Sequence, residues 1–394
     1  MKSSDLVWLV LGTTIPSCLV SWFVAFAVRR WAPRFGLVDQ PGTGHKAHRQ
    51  STPLGGGLAI WAGVIITFAT GQLLLWFVSI DAWAESLVPP FMLEHITGVR
   101  AKAPEVWFLL SSASLLMMLG LADDVLRLGW RIRLVWQLAI VAVGVYCYDH
   151  WRLTVYLDIP LLTGLLSLVW IVGLINSFNM LDNMDGLSAG VAAIAAVMLA
   201  VTMLVVPEPG STYPQLFVAG FLFVLVGSLL GFLWHNRPNA RLFMGDAGSY
   251  FIGYCIGVTT ILATFSEYTG TFNHTILAPL CIMAVPFYDM LTVIMIRVRR
   301  GRSLFDADLS HFSHRLVDLG FSRPMAVLTI YLLTFICGLA GLLLHQVNHW
   351  GAMLVIMLVI SILVLVSILE TIARRHKVTA QHDASQIDNP DGSH

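Results

Sequence analysis

Residues 215–265 read QLFVAGFLFVLVGSLLGFLWHNRPNARLFMGDAGSYFIGYCIGVTTILATF. Two apolar runs, Gln215–Trp234 and Ala247–Phe265, flank a short connector that carries Arg237, Arg241 and Asp246. Each run is close to the roughly 20 residues that a helix needs to cross the hydrocarbon core of a bilayer. Neither alternates as a barrel strand would, so both predict helices. Outward in both directions the pattern repeats, in Leu6–Val28, Leu54–Ile80, Glu105–Ala122, Leu134–Tyr148, Leu161–Ser177, Gly186–Pro207, Thr275–Val298, Met325–His345 and Gly351–Leu369. The sequence therefore predicts an all-α fold, a polytopic membrane bundle of about 11 transmembrane helices.

Composition agrees. Of 394 residues, 57% are hydrophobic and 12% charged, against about 45–50% and about 25% in soluble domains. Half the usual charge cannot coat a soluble globule of this size, and disorder requires the opposite bias. The mean hydropathy is +0.77. Cys18, Cys147, Cys255, Cys281 and Cys337 are scattered singly, without metal-ligand spacing, and read as small core hydrophobes. The first apolar run lacks a small-residue cleavage signal and is expected to be a retained helix.

Lys plus Arg equals Asp plus Glu at 23 each, so the information lies in where the charges fall. With the N-terminus outside, all the Lys and Arg except Lys2, Arg100, Lys102 and Arg152 fall on inward connections. That bias sets an N-out, C-in orientation. The outer connection Asp81–Pro104 contains Pro89-Pro90 and is expected to be a surface hairpin or loop. Residues 1–373 form the transmembrane domain in this reading, and 374–394 a polar, disordered cytosolic tail.

Most aspartates fall at the inner helix ends, which the charge rule does not demand. Ionisable groups at such positions are functional candidates. Asp123-Asp124 ends the third span, where the negative end of the helix dipole disfavours two acids. Either a cation offsets that cost, or Asp123 pairs with Arg127 one turn on. In NSFNMLDNMDG (176–186), Asn179, Asp182 and Asp185 recur at every third residue and share a helical face. Such a set suits a metal, a metal-bound phosphate or a base edge; the plainer alternative is a polar turn. Asp246, after Gly245, is placed to cap the eighth span, with Asn236, Arg237, Arg241 and Phe243 beside it. His311, His314 and Arg315 stand together after the basic run Arg297–Arg302 and suit a phosphate or sugar-phosphate. Lys46, in the Gly44–Gly57 loop, suits an anion. Asp289, inside the ninth span, is either a site residue or a packed polar group.

The blocks Leu119–Arg127, Asn176–Gly190, Asn236–Ser249 and His311–Arg315, with the Lys46–Gly57 loop, resemble the polyprenyl-phosphate N-acetylhexosamine-1-phosphate transferases. The similarity runs from His45 to Arg323 in the family's order. It is greatest to the branch that starts O-antigen, enterobacterial common antigen or teichoic acid carriers, with phospho-MurNAc-pentapeptide translocase second. Two positions depart from the family pattern: Ser313 stands where a histidine is usual, and Asn183 where a glycine is usual.

The resemblance implies a Mg²⁺-dependent reaction, with Mn²⁺ able to substitute. A UDP-N-acetylhexosamine would give its sugar-1-phosphate to undecaprenyl phosphate at the cytosolic face of the bacterial inner membrane, releasing UMP. It implies Asp246 as principal metal ligand with Asp124 and Asp182, and Asp123 and Asp124 at the acceptor. Phe243 would stack on uracil, with Asn236 and Asp185 bonding the base. Asn179 and Asp182 would meet nucleoside or metal, and His311, His314, Arg315 and Lys46 the diphosphate or sugar. Nucleic acid is not among the expected partners, and a homodimer is left open. The rival from another class is a secondary transporter, whose ionisable groups would sit near mid-membrane. A membrane scaffold leaves the ordered acids unexplained.

Overall fold

The computed structural model describes residues 3–39, 51–78, 90–153, 159–205, 215–264, 273–304 and 310–387. They form thirteen helices: α1 Ser3–Trp31, α2 Gly56–Val78, α3 Pro90–Leu126, α4 Trp130–Cys147, α5 Pro160–Leu181, α6 Leu187–Val205, α7 Leu216–Asn236, α8 Gly245–Thr264, α9 Ala278–Ile282, α10 Ala284–Arg299, α11 Phe312–Asp318, α12 Arg323–Leu343 and α13 His349–Ile387. The described strands are a two-residue pair, Val38–Asp39 antiparallel to Thr52–Pro53.

Among the described residues nine helices are long and apolar enough to cross a membrane, and a bent pair makes a tenth. Among the described residues every expected apolar run contains helix, and of the eleven expected spans α8 alone is not among these ten. This is a multi-pass helical membrane bundle. Packing sorts the helices. Most of α6 and α7 is buried within the protein, whereas α1 and the first part of α13 expose most of their surface. Trp8, Phe23, Leu354 and Leu358 are among the exposed large side chains there. An apolar surface of that kind is at home in lipid. At the centre lies α8, with Phe251, Ile252, Tyr254, Cys255 and Ile256 fully enclosed.

Four expectations are corrected. The third span begins earlier, at Pro90, so residues 90–104 of the supposed outer loop are helix; residues 81–89 lie outside the described ones. The fifth span continues to Leu181, so Asn179 is helical and the turn is confined to residues 182–186. The ninth span is broken at Met283, where the pair bends by 68°. Pro286 causes this: it has no N–H for the carbonyl of Ile282, and its ring crowds that carbonyl. Finally, α13 runs through Arg374 without a break to Ile387, and residues 388–394 lie outside the described ones.

Candidate active site

The acids meet where α3 and α5 end and α8 begins. The chain leaves α3 at Leu126, with Arg127 in the left-handed region at φ 52°. That turn brings the Arg127 N–H, rather than its side chain, to the carbonyl of Asp123. The charge partner of Asp123 is instead Arg133, from the first turn of α4, at 2.8 Å. Arg133 also stands 3.7 Å from Asp246. Tyr250, one turn into α8, donates its hydroxyl to Asp123 at 3.3 Å.

The cap of α8 is likewise not the expected one. Asp124 supplies it, accepting from the N–H groups of Asp246 at 3.0 Å and Ala247 at 3.3 Å. A carboxylate at a helix N-terminus satisfies orphan N–H groups and meets the positive end of the dipole. This frees the Asp246 side chain, which takes an N–H from the Asn179 amide at 2.6 Å. The same amide reaches Ser249 Oγ at 3.1 Å. Gly245 makes the approach possible: its φ is +73°, and a Cβ there would strike the Asp124 carboxylate. On the other side the Gly245 N–H donates to Asp182. Burial, and the charges of Asp124 and Asp185, push the Asp182 carboxyl up to about 8.

The structure thus brings Asp123, Asp124, Asp182, Asp246 and Asn179 into one cluster with Arg133. Other expected site residues are differently employed. Asn236 is buried, and its amide joins the Gly186 N–H to the Leu242 carbonyl at 2.9 Å each. It pins the turn after α5 to the connector before α8 and does not point at a base. Asp185 accepts from the Ala240 N–H at 3.0 Å, serving the same connector. Phe243 is half-buried in the connector three residues before Asp246, its backbone tied to Pro53 and Gly56. Lys46 lies outside the described residues.

The histidine segment folds as α11, against the turn after α5. Ser313 Oγ donates to Asn183 Oδ1 at 2.5 Å, so the two positions that depart from the family pattern contact each other. His311 and His314 have ring centroids 6.5 Å apart. Burial, with the charges of His311 and Arg323, lowers His314 below the usual imidazole range. Arg315, expected on substrate, is buried and directed elsewhere. It donates to Glu370 of α13 at 2.9 Å, to the Ser310 carbonyl and to Thr292. Its guanidinium therefore fixes α11 to α10 and α13.

The donor set bears on a metal. Among the described residues, no three His, Cys, Asp or Glu side chains already form a ligand array. Mg²⁺ asks for less: one or two carboxylates, the rest of its shell being water and substrate phosphate. Asp182 and Asp246 are hard oxygen donors within one cluster of acids, and they fit that requirement. Asp124, expected as a third ligand, instead gives its oxygens to α8.

Sequence reasoning missed Arg133, Tyr250 and the contact between Asn183 and Ser313. Tyr250 was findable, since it follows Asp246 by four residues on one helical face. Arg133 carried no such signal among the other inward arginines.

Residues 106–264 match the family described as Glycosyl transferase family 4, which spans α3 to α8 and so contains the acid cluster. Fold and match together define a membrane-embedded glycosyl transferase. The decaprenyl-phosphate N-acetylglucosaminephosphotransferase of Mycolicibacterium smegmatis is 30% identical over 339 residues, covering 81% of this chain and 78% of the relative. The probable undecaprenyl-phosphate N-acetylglucosaminyl 1-phosphate transferase of Bacillus subtilis is 29% identical over 352 residues, 88% of each chain. The undecaprenyl-phosphate alpha-N-acetylglucosaminyl 1-phosphate transferase of Escherichia coli K12 is 28% identical, covering 90% and 88%. The chain belongs to the polyprenyl-phosphate N-acetylhexosamine-1-phosphate transferases.

Proposed function

We propose that the protein transfers a sugar-1-phosphate, N-acetylglucosamine-1-phosphate foremost, from a UDP-N-acetylhexosamine to undecaprenyl phosphate. The products are sugar-diphospho-undecaprenol and UMP, and the carrier lipid then starts assembly of a cell-envelope glycan. The observation that carries this reading is the convergence of Asp123, Asp124, Asp182 and Asp246 on one end of the bundle with Arg133 among them. Phosphoryl transfer needs positioning and charge neutralisation more than covalent work by the protein. The positive-inside bias supports a cytosolic position for that end, where nucleotide sugars are, beside the lipid headgroups.

In this reading Asp182 and Asp246 hold Mg²⁺, with Mn²⁺ as substitute. The metal supplies charge neutralisation at the diphosphate. Asn179 holds the Asp246 carboxylate by its 2.6 Å hydrogen bond. Arg133 balances Asp123 and offers a cation to an incoming phosphate. Phe243 offers a ring for uracil, and His311 and His314 face the diphosphate or sugar. Purified protein given undecaprenyl phosphate and a panel of UDP-sugars tests the reading. UMP release with one UDP-N-acetylhexosamine, lost in excess chelator and restored by Mg²⁺, is expected. No UMP with any donor overturns it.

A further inference from the structure

Asp289 is a wholly buried carboxylate in α10 that the reaction scheme above does not use. Both of its oxygens are committed, and to adjacent residues. Oδ1 accepts from the Phe312 N–H at 2.6 Å, at the start of α11. Oδ2 stands 3.0 Å from Nδ1 of His311, the N-cap residue of α11. Capping alone would occupy one oxygen. The second oxygen holds a ring, and that ring belongs to a side chain expected at the substrate.

We propose that Asp289 is a positioning residue for His311. Its carboxylate keeps the proton on Nδ1, fixes the ring plane and leaves Nε2 as the nitrogen that meets the donor's diphosphate or sugar. The physics is that of any imidazole backed by a carboxylate: the hydrogen bond at one nitrogen selects the tautomer and supports positive charge on the ring. Burial and two further contacts make the arrangement stiff. The ring is 9% exposed and Asp289 is fully buried, so neither has room to turn. Arg315 ties α11 to Thr292, three residues beyond Asp289 on α10. Ser313 binds Asn183, next to Asp182, so the same short helix is also tied to the turn that carries Asp182. The broken span explains the geometry: the bend at Met283 redirects α10, and Asp289 is six residues further along it.

This inference rests on the proposed transfer reaction, so the wild-type UMP assay comes first; a silent wild type defeats that reading before Asp289 is tested. Asp289→Asn is the informative change. Its carbonyl can still cap α11, but its NH₂ faces Nδ1 and drives the proton to Nε2. Turnover should fall roughly 10–100-fold, the range for losing a histidine's orienting partner. The KM for the UDP-sugar should stay within about threefold, since positioning acts on turnover more than on ground-state binding. The decisive measurement is the cycle with His311→Ala. If Asp289 acts through His311, Asp289→Asn costs nothing further in the His311→Ala background. Multiplying losses would show an independent, structural role and overturn the proposal, as would full activity of Asp289→Asn. Should Asp289→Asn fail to fold, Asp289→Ser, whose hydroxyl can cap α11 but not hold the ring, is put through the same cycle.

Discussion

The apolar stretch of α3, Glu105–Ala122, has acid at each end, and the two are held in opposite ways. At one end Glu105 is a single carboxylate met by three donors: His150 Nε2 at 2.5 Å, Trp151 Nε1 at 3.1 Å and Lys102 Nζ at 3.1 Å. Trp151 is buried and stacks on Tyr148, so this cluster locks the connector after α4 to the helix. About 28 Å along the same helix, by its rise per residue, Asp123 and Asp124 join Asp182 and Asp246. There, among the described residues, Arg133 meets Asp123 and Asp246, and backbone and side-chain amide N–H groups and a hydroxyl are among the other partners. A cluster with its negative charge matched is a clamp. A cluster of four acids asks for further positive charge, and Asp182 is pushed up to about 8 by burial first and by the charges of Asp124 and Asp185 after it.

Removing one acid from the four-acid end breaks the comparison most sharply. Asp246→Asn should abolish transfer, with UMP release at least about 10³-fold down, comparable to or beyond the loss of a key charge-stabilising group. The thermal midpoint should hold or rise, because like-charge repulsion is relieved. Near-wild-type turnover would remove Asp246 from the reaction.

How much of this was legible differs by level. The bundle was, because each span announces itself by about 20 apolar residues without reference to any other part of the chain. The break at Met283 was legible in principle from Pro286 and went unread because the apolar run continues through it. The acids could be nominated one by one from their places at helix ends. Their division of labour could not. Asp124 caps a helix that begins 121 residues later, and Arg133 crosses a turn to reach Asp123 and Asp246. Pairings set by how helices stack leave no trace in local spacing. Asn236 and Arg315 show the same limit from the other side: amide and guanidinium are chemically suited to ligands, yet burial spends them on Leu242 and Glu370.

A smaller effect should come from Phe243, three residues before Asp246 in the connector. If its ring stacks on the base, Phe243→Ala weakens UDP-sugar binding by about 1–3 kcal/mol. Titration calorimetry would register that as a roughly tenfold to hundredfold rise in Kd. Unchanged affinity moves the base elsewhere.

The clamp end should answer in stability instead. Glu105→Gln keeps the shape but turns charged hydrogen bonds into neutral ones, a loss of about 1–2 kcal/mol. That corresponds to a fall of roughly 2–4 °C in thermal midpoint for a chain of this length or somewhat less. Turnover and KM should stay at wild-type values at temperatures below the transition. A loss of activity without loss of stability would show that the two ends are coupled and that charge balance does not separate them.

The contact between Ser313 and Asn183 gives the finest test, because it lies where site and scaffold meet. Ser313 is buried and donates to an amide that itself bonds the Met180 carbonyl. As scaffold, Ser313→Ala should cost about 0.5–1.5 kcal/mol. Asn183→Ala should cost a similar amount, and the double variant less than the sum, since each single change already breaks the bond. If Ser313 meets substrate, the pattern inverts: the donor's KM rises, the thermal midpoint holds, and the two substitutions do not couple. The hydrogen bond to Asn183 favours the first outcome. A hydroxyl that already donates to a neighbouring amide offers a ligand only its acceptor lone pairs, and those are poorly suited to a diphosphate.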